Sequence, residues 1–339
     1  MKKRVLFLCA SCMLLAAGVF CVVFFSHLKP ADSALSSESV VGTPYQLEVA
    51  SGNTLHGIAK KLKSAGIIRS ERAFLLYARL KKYSAKRGLY TISPEMPSRQ
   101  ILKIIDSGVS DPIVVSIPEG YTIKKIARLL EENKICRAAD FIGAAARGEG
   151  APFSSYEGFL FPDTYFFDYG MDAKTVIQKM IDNFYEKIDV IDGLQNLTDA
   201  QLYEKVKLAS IVEREYRLAK EAPLIASVFS NRIERGMALE SCATVEYIIT
   251  EIEDLPHPKV IMYKDLERKN PYNSYIYKGL PPSPICNPGL TALKAAAQPE
   301  KSNYFFFRVI DAQKGEHYFS KDFSEHREVG QVYYTKNAS

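Results

Sequence analysis

The sequence predicts an α+β protein: an N-terminal transmembrane helix, a small α/β module and then a larger mixed α+β domain. Three observations support this fold class. Residues 5–25 contain no charged side chain, a strand, turn and helix pattern occurs twice between residues 49 and 130, and beyond residue 150 helical patterns alternate with short strands rich in Tyr and Phe. The chain has 339 residues, 47% hydrophobic and 24% charged, as expected for about two folded domains.

The positive charge of the chain is concentrated at its N-terminus. The formal net charge is +5, and Lys2, Lys3 and Arg4 precede every acidic residue, so the remainder is close to neutral. That remainder has no stripe of Lys and Arg of the kind that binds a phosphate backbone, which argues against a nucleic-acid partner. The three cations instead predict that residues 1–4 are a cytoplasmic tail, by the positive-inside rule.

The uncharged run at residues 5–25 is long enough for a transmembrane anchor, because a helix rises about 1.5 Å per residue and the hydrocarbon core is about 30 Å thick. A cleaved signal peptide is the alternative. However, the run exceeds the usual apolar region of about 7 to 15 residues, and no small-x-small cleavage site follows before His27. We therefore expect a flexible linker at residues 26–43, and everything beyond about residue 28 outside the cytoplasm.

An internal repeat organises the chain after this linker. Residues 49–62 recur as residues 117–130, and each copy combines a strand, a turn that contains glycine, and a helix that a threonine caps. The pattern is similar to that of small carbohydrate-binding modules of the LysM kind. A packing unit that is used twice and binds no ligand is the alternative.

The boundary between the two domains is predicted near residues 108–112. A helix that starts at Ser98 and ends at Gly108 completes the first module, and the strand that follows opens the second copy of the repeat. We place a LysM-like module at residues 44–110 and the larger domain at residues 111–336.

Several familiar catalytic and ligand-binding motifs are missing. The sequence contains no G-x-S-x-G, H-E-x-x-H, P-loop or G-x-G-x-x-G motif, and its five His residues are scattered. The cysteines outside the anchor, Cys136, Cys242 and Cys286, form no C-x-x-C pair and allow at most one disulfide. We therefore expect neither a metal nor a cofactor, and the metal-hydrolase, serine-hydrolase and nucleotide-enzyme classes lose support.

A glutamate occupies an unusual position on the helix that Thr198 and Gln201 are predicted to start with a capping box. Apolar side chains recur along one face of this helix, and Glu213 lies on that face. Burial there would raise its pKa, which is what a general acid needs. The alternative is that Glu213 pairs with Arg217 one turn later and stabilises the helix. Glu215 is the second candidate for the acid.

The segment around Glu213 resembles the helix that bears the catalytic glutamate in the YceG-like family, the endolytic murein (peptidoglycan) transglycosylases. The similarity continues in the same order along nearly the whole exported region. The segments that carry it are residues 117–120 (IPEG), 157–165 (EGFLFPDTY), 208–215 (LASIVERE), 226–233 (ASVFSNRI), 236–239 (GMAL), 272–275 (YNSY), 279–285 (GLPPSPI), 287–289 (NPG), 317–319 (HYF) and His326.

The resemblance implies cleavage of the β-1,4 bond between MurNAc and GlcNAc inside a glycan strand, leaving a 1,6-anhydro end. One carboxyl, here Glu213, would act as acid and then as base, whereas an ordinary glycosidase uses two carboxylates. The resemblance also implies substrate-binding or supporting roles for five residues, each of which, taken singly, is better explained by packing or turn structure. These residues are Asn231, Thr244, Tyr247, Asn273 and Tyr275.

The setting that the resemblance implies is the cytoplasmic (inner) membrane, with the larger domain on the outer side. The implied partners are peptidoglycan glycan strands and the cell-wall synthases (penicillin-binding proteins), and the implied role is to end strand elongation. A weakly active protein that binds glycan and recruits synthases is the alternative from another class. A hydrolase that uses the same cleft is a third hypothesis, and its second carboxylate could be Glu157 or Asp163.

Two cysteines depart from the family pattern. Cys242 and Ala243 stand where family members usually carry Asp-Pro, which favours the weakly active alternative if that Asp orients the glutamate. Cys286 lies in the Pro-rich loop that the resemblance places beside the same cleft. We therefore hypothesise a disulfide between Cys242 and Cys286 that clamps this loop.

Overall fold

The structure is a computed structural model. It describes residues 2–31, 43–147 and 155–329, with side chains from residue 11 onward. The described residues divide into two compact units. The first comprises the chain up to Ile113 together with Phe166–Gly170, and the second comprises Val114–Tyr165 and the residues from Met171.

The predicted mixed α+β class is confirmed, since the described ranges contain both helices and three two-stranded sheets. The helices are α1 (Lys2–His27), α2 (Leu55–Ser64), α3 (Glu71–Lys81), α4 (Ser98–Ser107), α5 (Ile123–Glu132), α6 (Ala138–Arg147), α7 (Ala173–Asp189), α8 (Asp199–Glu215), α9 (Ala222–Glu234), α10 (Cys242–Tyr247) and α11 (Leu290–Ala297). The strands are β1 (Tyr45–Val49), β2 (Gly88–Ile92), β3 (Ile113–Ser116), β4 (Thr164–Phe167), β5 (Phe306–Asp311) and β6 (Glu316–Ser320). The pairs are β1 with β2, β3 with β4 and β5 with β6.

The first unit is built on the antiparallel pair of β1 and β2, with Tyr45 opposite Ile92. Apolar side chains of α2, α3 and α4, among them Leu62, Phe74 and Ile101, form one core with those of the two strands. Burial of this apolar surface is what stabilises so small a unit.

The end of the hydrophobic helix also belongs to the first unit. Leu28 is 3% exposed, and its carbonyl accepts the N–H of Ser98 at 3.0 Å. Pro30 forms an isolated β-bridge with Ile68. Leu28 and Pro30 are therefore held against the first unit, although residues 26–43 were expected to form a flexible linker. Residues 32–42 of that linker lie outside the described residues.

α1 covers the run that was expected to be a transmembrane anchor. In the part of the chain whose structure is described, no helix combines the length and apolar character that crossing a membrane requires. The side chains of residues 5–10, where the predicted anchor begins, lie outside that part.

The predicted repeat is confirmed as a structural repeat. In the first copy Thr54 is the N-cap of α2 and accepts the N–H of Gly57 at 3.2 Å, and in the second Thr122 is the N-cap of α5 and accepts the N–H of Lys125 at 3.3 Å. A strand precedes and a second helix follows each of them. Glycan binding by the LysM-like module stays a prediction.

Helix α8 runs through the core of the second unit. The predicted capping box is present, because Thr198 accepts the N–H of Gln201 while the Gln201 side chain accepts the N–H of Thr198. From Val206 to Val212 every residue is buried, so the helix is enclosed on all sides. Its last turn emerges from this core, and it carries Glu213.

Candidate active site

Glu213 is held by two hydrogen bonds at the end of α8. Its Oε2 accepts the backbone N–H of Gly289 at 2.9 Å, and its Oε1 accepts the hydroxyl of Tyr216 at 3.3 Å. Burial raises the pKa of Glu213 to about 7; the N–H of Gly289 lowers it, the charge of Glu119 raises it, and Tyr216 and Arg214 lower it. The predicted burial and its effect on the pKa are thus confirmed.

The alternative pairing of Glu213 with Arg217 is absent from the described residues. The Arg217 guanidinium donates instead to the carbonyl of Ala312 at 3.4 Å. The neighbouring cation, Arg214, forms an ion pair with Glu246. Glu213 therefore has no cation fixed on its carboxylate, which leaves it free to take up and release a proton.

A second carboxylate, Glu119, approaches Glu213 across Gly289. The φ of Gly289 is −83°, which any residue can adopt, so backbone strain does not explain this glycine. A Cβ at this position would lie 1.9 Å from Oε1 of Glu119. Because Gly289 also donates to Glu213, the nearest carboxylate oxygens of the two glutamates are at most about 7 Å apart. Glu119 belongs to a family motif of the sequence, residues 117–120, but its place in the site was not predicted.

The loop that carries Glu119 is fixed by backbone hydrogen bonds. The N–H of Gly120 donates to the carbonyl of Asn287 at 3.0 Å, and the N–H of Asn287 donates to the carbonyl of Tyr121 at 2.9 Å. Gly120 has a φ of +74°, a left-handed conformation that favours glycine. This turn brings the loop over the end of α8, where a Cβ on Gly120 would lie 3.7 Å from Cγ of Glu213.

The side chain of Asn287 joins three loops beneath the site. It is 0% exposed. Its Oδ1 accepts the N–H groups of Gly158 and Leu160, both at 2.9 Å. Its Nδ2 donates to the carbonyl of Tyr121 at 2.9 Å and to Glu157 at 3.0 Å. Both donors and both acceptor positions of this buried amide are used, so Asn287 holds these loops together. The sequence did not indicate this role.

Glu157 and Asp163, the second carboxylates considered for a hydrolase, are both engaged elsewhere. Glu157 is 6% exposed, and both of its oxygens accept the N–H of Ile123, at 3.2 and 3.1 Å. Burial raises the pKa of Glu157 to about 8, although the N–H of Ile123 opposes this. Asp163 accepts from Asn183 at 3.1 Å and lies 3.6 Å from the ammonium of Lys187. The carboxylate near Glu213 is Glu119 instead.

Comparison with known proteins decides the family. A model of the YceG-like family matches residues 47–331. The chain belongs to the YceG-like family. An endolytic murein transglycosylase from Bacillus subtilis (strain 168) is 28% identical over 313 residues, which cover 86% of this chain and 85% of that protein. A protein of the same name from Streptococcus pneumoniae (strain ATCC BAA-255 / R6) is 28% identical over 361 residues, which cover 94% of this chain but 63% of its relative.

A solved structure shows the same fold. The crystal structure of a yceG-like protein from Listeria monocytogenes superimposes with a TM-score of 0.57 at 29% sequence identity. The match covers 85% of this chain and 99% of that one. The resemblance inferred from the sequence is therefore confirmed by both kinds of comparison.

Three of the five predicted binding residues of this YceG-like protein make internal hydrogen bonds. Thr244, 0% exposed, donates to the carbonyl of Ser241 at 2.7 Å. Asn273, also 0% exposed, donates to two carbonyls in the preceding loop, both at 2.9 Å. Asn231 donates to the carbonyls of residues 302 and 304 at 3.1 and 2.9 Å. These contacts support the packing and turn explanation of each residue.

The two predicted tyrosines remain half-buried. The ring of Tyr247 lies 5.1 Å from that of Tyr272, and burial raises its pKa. The hydroxyl of Tyr275 lies 3.1 Å from Sγ of Cys242. Both rings keep accessible surface, and their part in sugar binding stays a prediction.

Glu215, the second candidate for the acid, holds the start of α10 in this YceG-like protein. Its carboxylate accepts the hydroxyl of Ser241 and the N–H of Ala243. Burial raises its pKa, and these two donors lower it. Glu215 is more deeply buried than Glu213, so Glu213 is the better placed of the two to exchange a proton with a substrate.

The hypothesised disulfide between Cys242 and Cys286 is wrong, because both cysteines are free. Cys242 is exposed at the first position of α10 and contacts Tyr275. Cys286 is 0% exposed, and its thiol donates to the carbonyl of Ser210 at 3.2 Å. The two side chains therefore face different surroundings, which excludes the geometry of a bridge.

No group of three or more His, Cys, Asp or Glu side chains suited to a metal ion occurs in the described ranges of this YceG-like protein. The site built around Glu213 consists of two carboxylates, the hydroxyl of Tyr216 and the backbone N–H of Gly289. Such an arrangement can move a proton by general acid and base catalysis.

Proposed function

We propose that this YceG-like protein is an endolytic murein transglycosylase in which Glu213 is both general acid and general base. The observation that carries the proposal is the raised pKa of Glu213, about 7, in the half-buried last turn of a buried helix. A carboxyl with this pKa is protonated often enough near neutral pH to act as an acid. Two relatives named endolytic murein transglycosylase support the same activity.

The proposed reaction needs one carboxyl and no water. Protonated Glu213 gives its proton to the glycosidic oxygen of the leaving sugar as the bond from that oxygen to C1 of MurNAc breaks. The resulting carboxylate accepts the proton of the MurNAc 6-hydroxyl, whose oxygen forms the new bond to C1. The products are a 1,6-anhydro end and a new 4-hydroxyl, and Glu213 is protonated again.

Loss of the usual Asp-Pro pair favours the scaffold alternative, but the surroundings of Glu213 argue against it. The groups that orient Glu213 are the N–H of Gly289 and the hydroxyl of Tyr216. Cys242, which replaces the Asp, contacts Tyr275 instead. In this chain Glu213 is thus oriented without a contact from residue 242. Hydrolysis is the second candidate, because Glu119 is close enough to Glu213, at most about 7 Å, to serve as the second carboxylate of a glycosidase pair.

We also propose that the protein is anchored in the cytoplasmic membrane and ends the elongation of nascent strands beside penicillin-binding synthases. The uncharged run at residues 5–25 and the cations before it support the anchor and its orientation. Labelling of a cysteine introduced at Ser37, in a variant that also carries Cys136→Ser and Cys242→Ser, by a membrane-impermeant reagent in intact cells would test this. Labelling supports the orientation, and release of the protein from membranes by high salt contradicts the anchor.

Cleavage of uncrosslinked glycan strands tests the activity. The full chain in detergent and its Glu213→Gln variant are incubated with the strands, and the new ends are identified by mass spectrometry. We expect 1,6-anhydro ends, and a decrease of about 1000-fold in their rate of formation in the variant. The matched control is Glu234→Gln, at the exposed end of α9, which should keep the parental rate. Reducing ends would support the hydrolase, and absence of cleavage by the parent would support the scaffold.

A further inference from the structure

A cavity of about 560 Å³ lies in the second unit, beside the end of α8. We call it the arginine cavity. Its lining includes Arg217, Arg308, Tyr275, Phe306, Phe323 and His326. The volume is within the usual range of ligand sites, and the lining combines cations with aromatic rings.

The arginine cavity carries an excess of positive charge. Arg214 and Arg232, which also line it, are neutralised by ion pairs with Glu246 and Glu240 respectively. Arg217 and Arg308 form no ion pair with the residues that the structure describes. The carboxylate of Glu215 also lines the cavity, but it accepts from Ser241 and Ala243. Two guanidinium groups therefore remain without an ion pair, and guanidinium groups are well suited to carboxylate recognition.

Two polar atoms of the arginine cavity are buried without a hydrogen-bond partner in the described ranges. They are Nε of Arg308 and Nδ1 of His326. The two side chains are adjacent, because Nη1 of Arg308 donates to the carbonyl of His326 at 3.2 Å. Burying a donor without an acceptor costs free energy, so an acceptor that enters the cavity would bind favourably there.

The substrate class identifies an acceptor of suitable chemistry. In a peptidoglycan strand the sugars are neutral where the lactyl group of MurNAc is amide-linked to a peptide, so the free carboxylates belong to the peptide stem. Tyr275 lines the arginine cavity and is also one of the residues expected to contact sugar. A strand bound against Tyr275 would therefore present its stem to the unpaired cations.

We propose that the arginine cavity binds a carboxylate of the peptide stem, with Arg308 as its principal donor. This inference rests on the proposed function, because it names the part of the same substrate that the cavity recognises. Arg308 acts on binding and on the positioning of the strand, while Glu213 performs the chemistry.

The test compares strands with free stem carboxylates with the same strands after amidation by a carbodiimide and ammonia. We expect the full chain to cleave the free-acid strands with a kcat/KM about tenfold higher. Arg308→Gln should remove this preference and retain the parental rate on amidated strands, which also shows that the variant is folded. Arg308→Lys should restore part of the preference. The matched control, Arg327→Gln, removes an exposed charge beside His326 and should keep the preference.

Three outcomes would overturn the proposal: no preference in the parent, a preference that survives in Arg308→Gln, or an equal loss of rate on both substrates in that variant. Binding of the two kinds of strand to Glu213→Gln, with and without Arg308→Gln, is measured in parallel by calorimetry. If the parent cleaves nothing, the proposed activity fails, yet a preference in binding that depends on Arg308 still supports the cavity. Absence of that preference contradicts it.

Discussion

The two copies of the internal repeat have the same local structure but different surroundings. Each has a glycine with positive φ before a threonine-capped helix. A Cβ on Gly52 would meet nothing within 4 Å, whereas one on Gly120 would lie 3.7 Å from Glu213. Glu119 in the second copy corresponds to the exposed Ser51 in the first. The comparison shows that the repeat determines the shape of the turn, and that the contacts of the second copy make it part of a site.

The caps of the two helices differ in the same way. Thr54 accepts one N–H from its own helix. Thr122 does the same and also donates to Glu251 at 2.9 Å, while the next N–H, that of Ile123, is taken by Glu157. The second copy is thus tied to distant parts of its unit.

The largest expected difference between the copies concerns Asn287, because no buried amide of this kind bonds to the first copy among the residues that the structure describes. Asn287→Ala leaves several buried partners without a hydrogen bond, and we expect the free energy of unfolding to decrease by about 3 kcal/mol. The control is Asn53→Ala in the first copy, where Asn53 accepts the N–H of Ala50 in an exposed turn. Urea denaturation followed by circular dichroism measures both, and equal effects would contradict the comparison.

The Glu119→Ser variant gives the second copy the serine that the first copy has at this position, Ser51. We expect a smaller effect here, on the pH dependence of cleavage. Removing the negative charge of Glu119 should lower the pKa of Glu213 below about 7. Activity that needs protonated Glu213 is lost as pH rises through this pKa, so the loss should begin at lower pH in the variant. Near pH 7 we expect about fivefold slower cleavage, and near pH 5 the parental rate.

Two further variants sharpen this result. Gly289→Ala keeps the N–H that Glu213 accepts but displaces the Glu119 side chain, so it should shift the pH profile in the same direction. Combined with Glu119→Ser it should add little, because both changes remove one interaction. Ser51→Ala in the first copy should leave the profile unchanged. An unchanged profile in Glu119→Ser would show that Glu119 has no influence on Glu213, and additive shifts would show that Gly289→Ala does not act through Glu119.

The smallest effect is expected for Thr54→Ala. Loss of an N-cap lowers the free energy of unfolding by about 1 kcal/mol, and the rate of strand cleavage should not change. Thr122→Ala loses the bond to Glu251 as well, so its stability should fall further. Thermal unfolding and cleavage assays on both variants measure the difference, and a slower cleavage by Thr54→Ala would give the first copy a role in the site.

Features set by local sequence could be predicted, whereas those set by distant contacts could not. The capping box at Thr198 and the position of Glu213 on an apolar face depend on residues within one helix. The role of Glu119 depends on its contact with Gly289, which is far away in the sequence. The spacing of apolar residues along a helix does not indicate which distant residues meet. The disulfide prediction failed for the same reason, since the direction in which Cys242 and Cys286 point is set by packing. The resemblance implied substrate binding by Thr244 and Asn273, but their side chains form hydrogen bonds with backbone carbonyls of the protein instead.

The single glycine at position 289 has a thermodynamic consequence for the proposed catalytic cycle. Its N–H favours the ionised form of Glu213, and the space left by its missing side chain admits a charge that favours the neutral form. These opposed influences, added to burial, leave the two forms of Glu213 nearly equal in free energy at neutral pH. Donation of the proton to the glycosidic oxygen is then not favoured over its recovery from the MurNAc 6-hydroxyl. The two proton transfers have closely matched free energies.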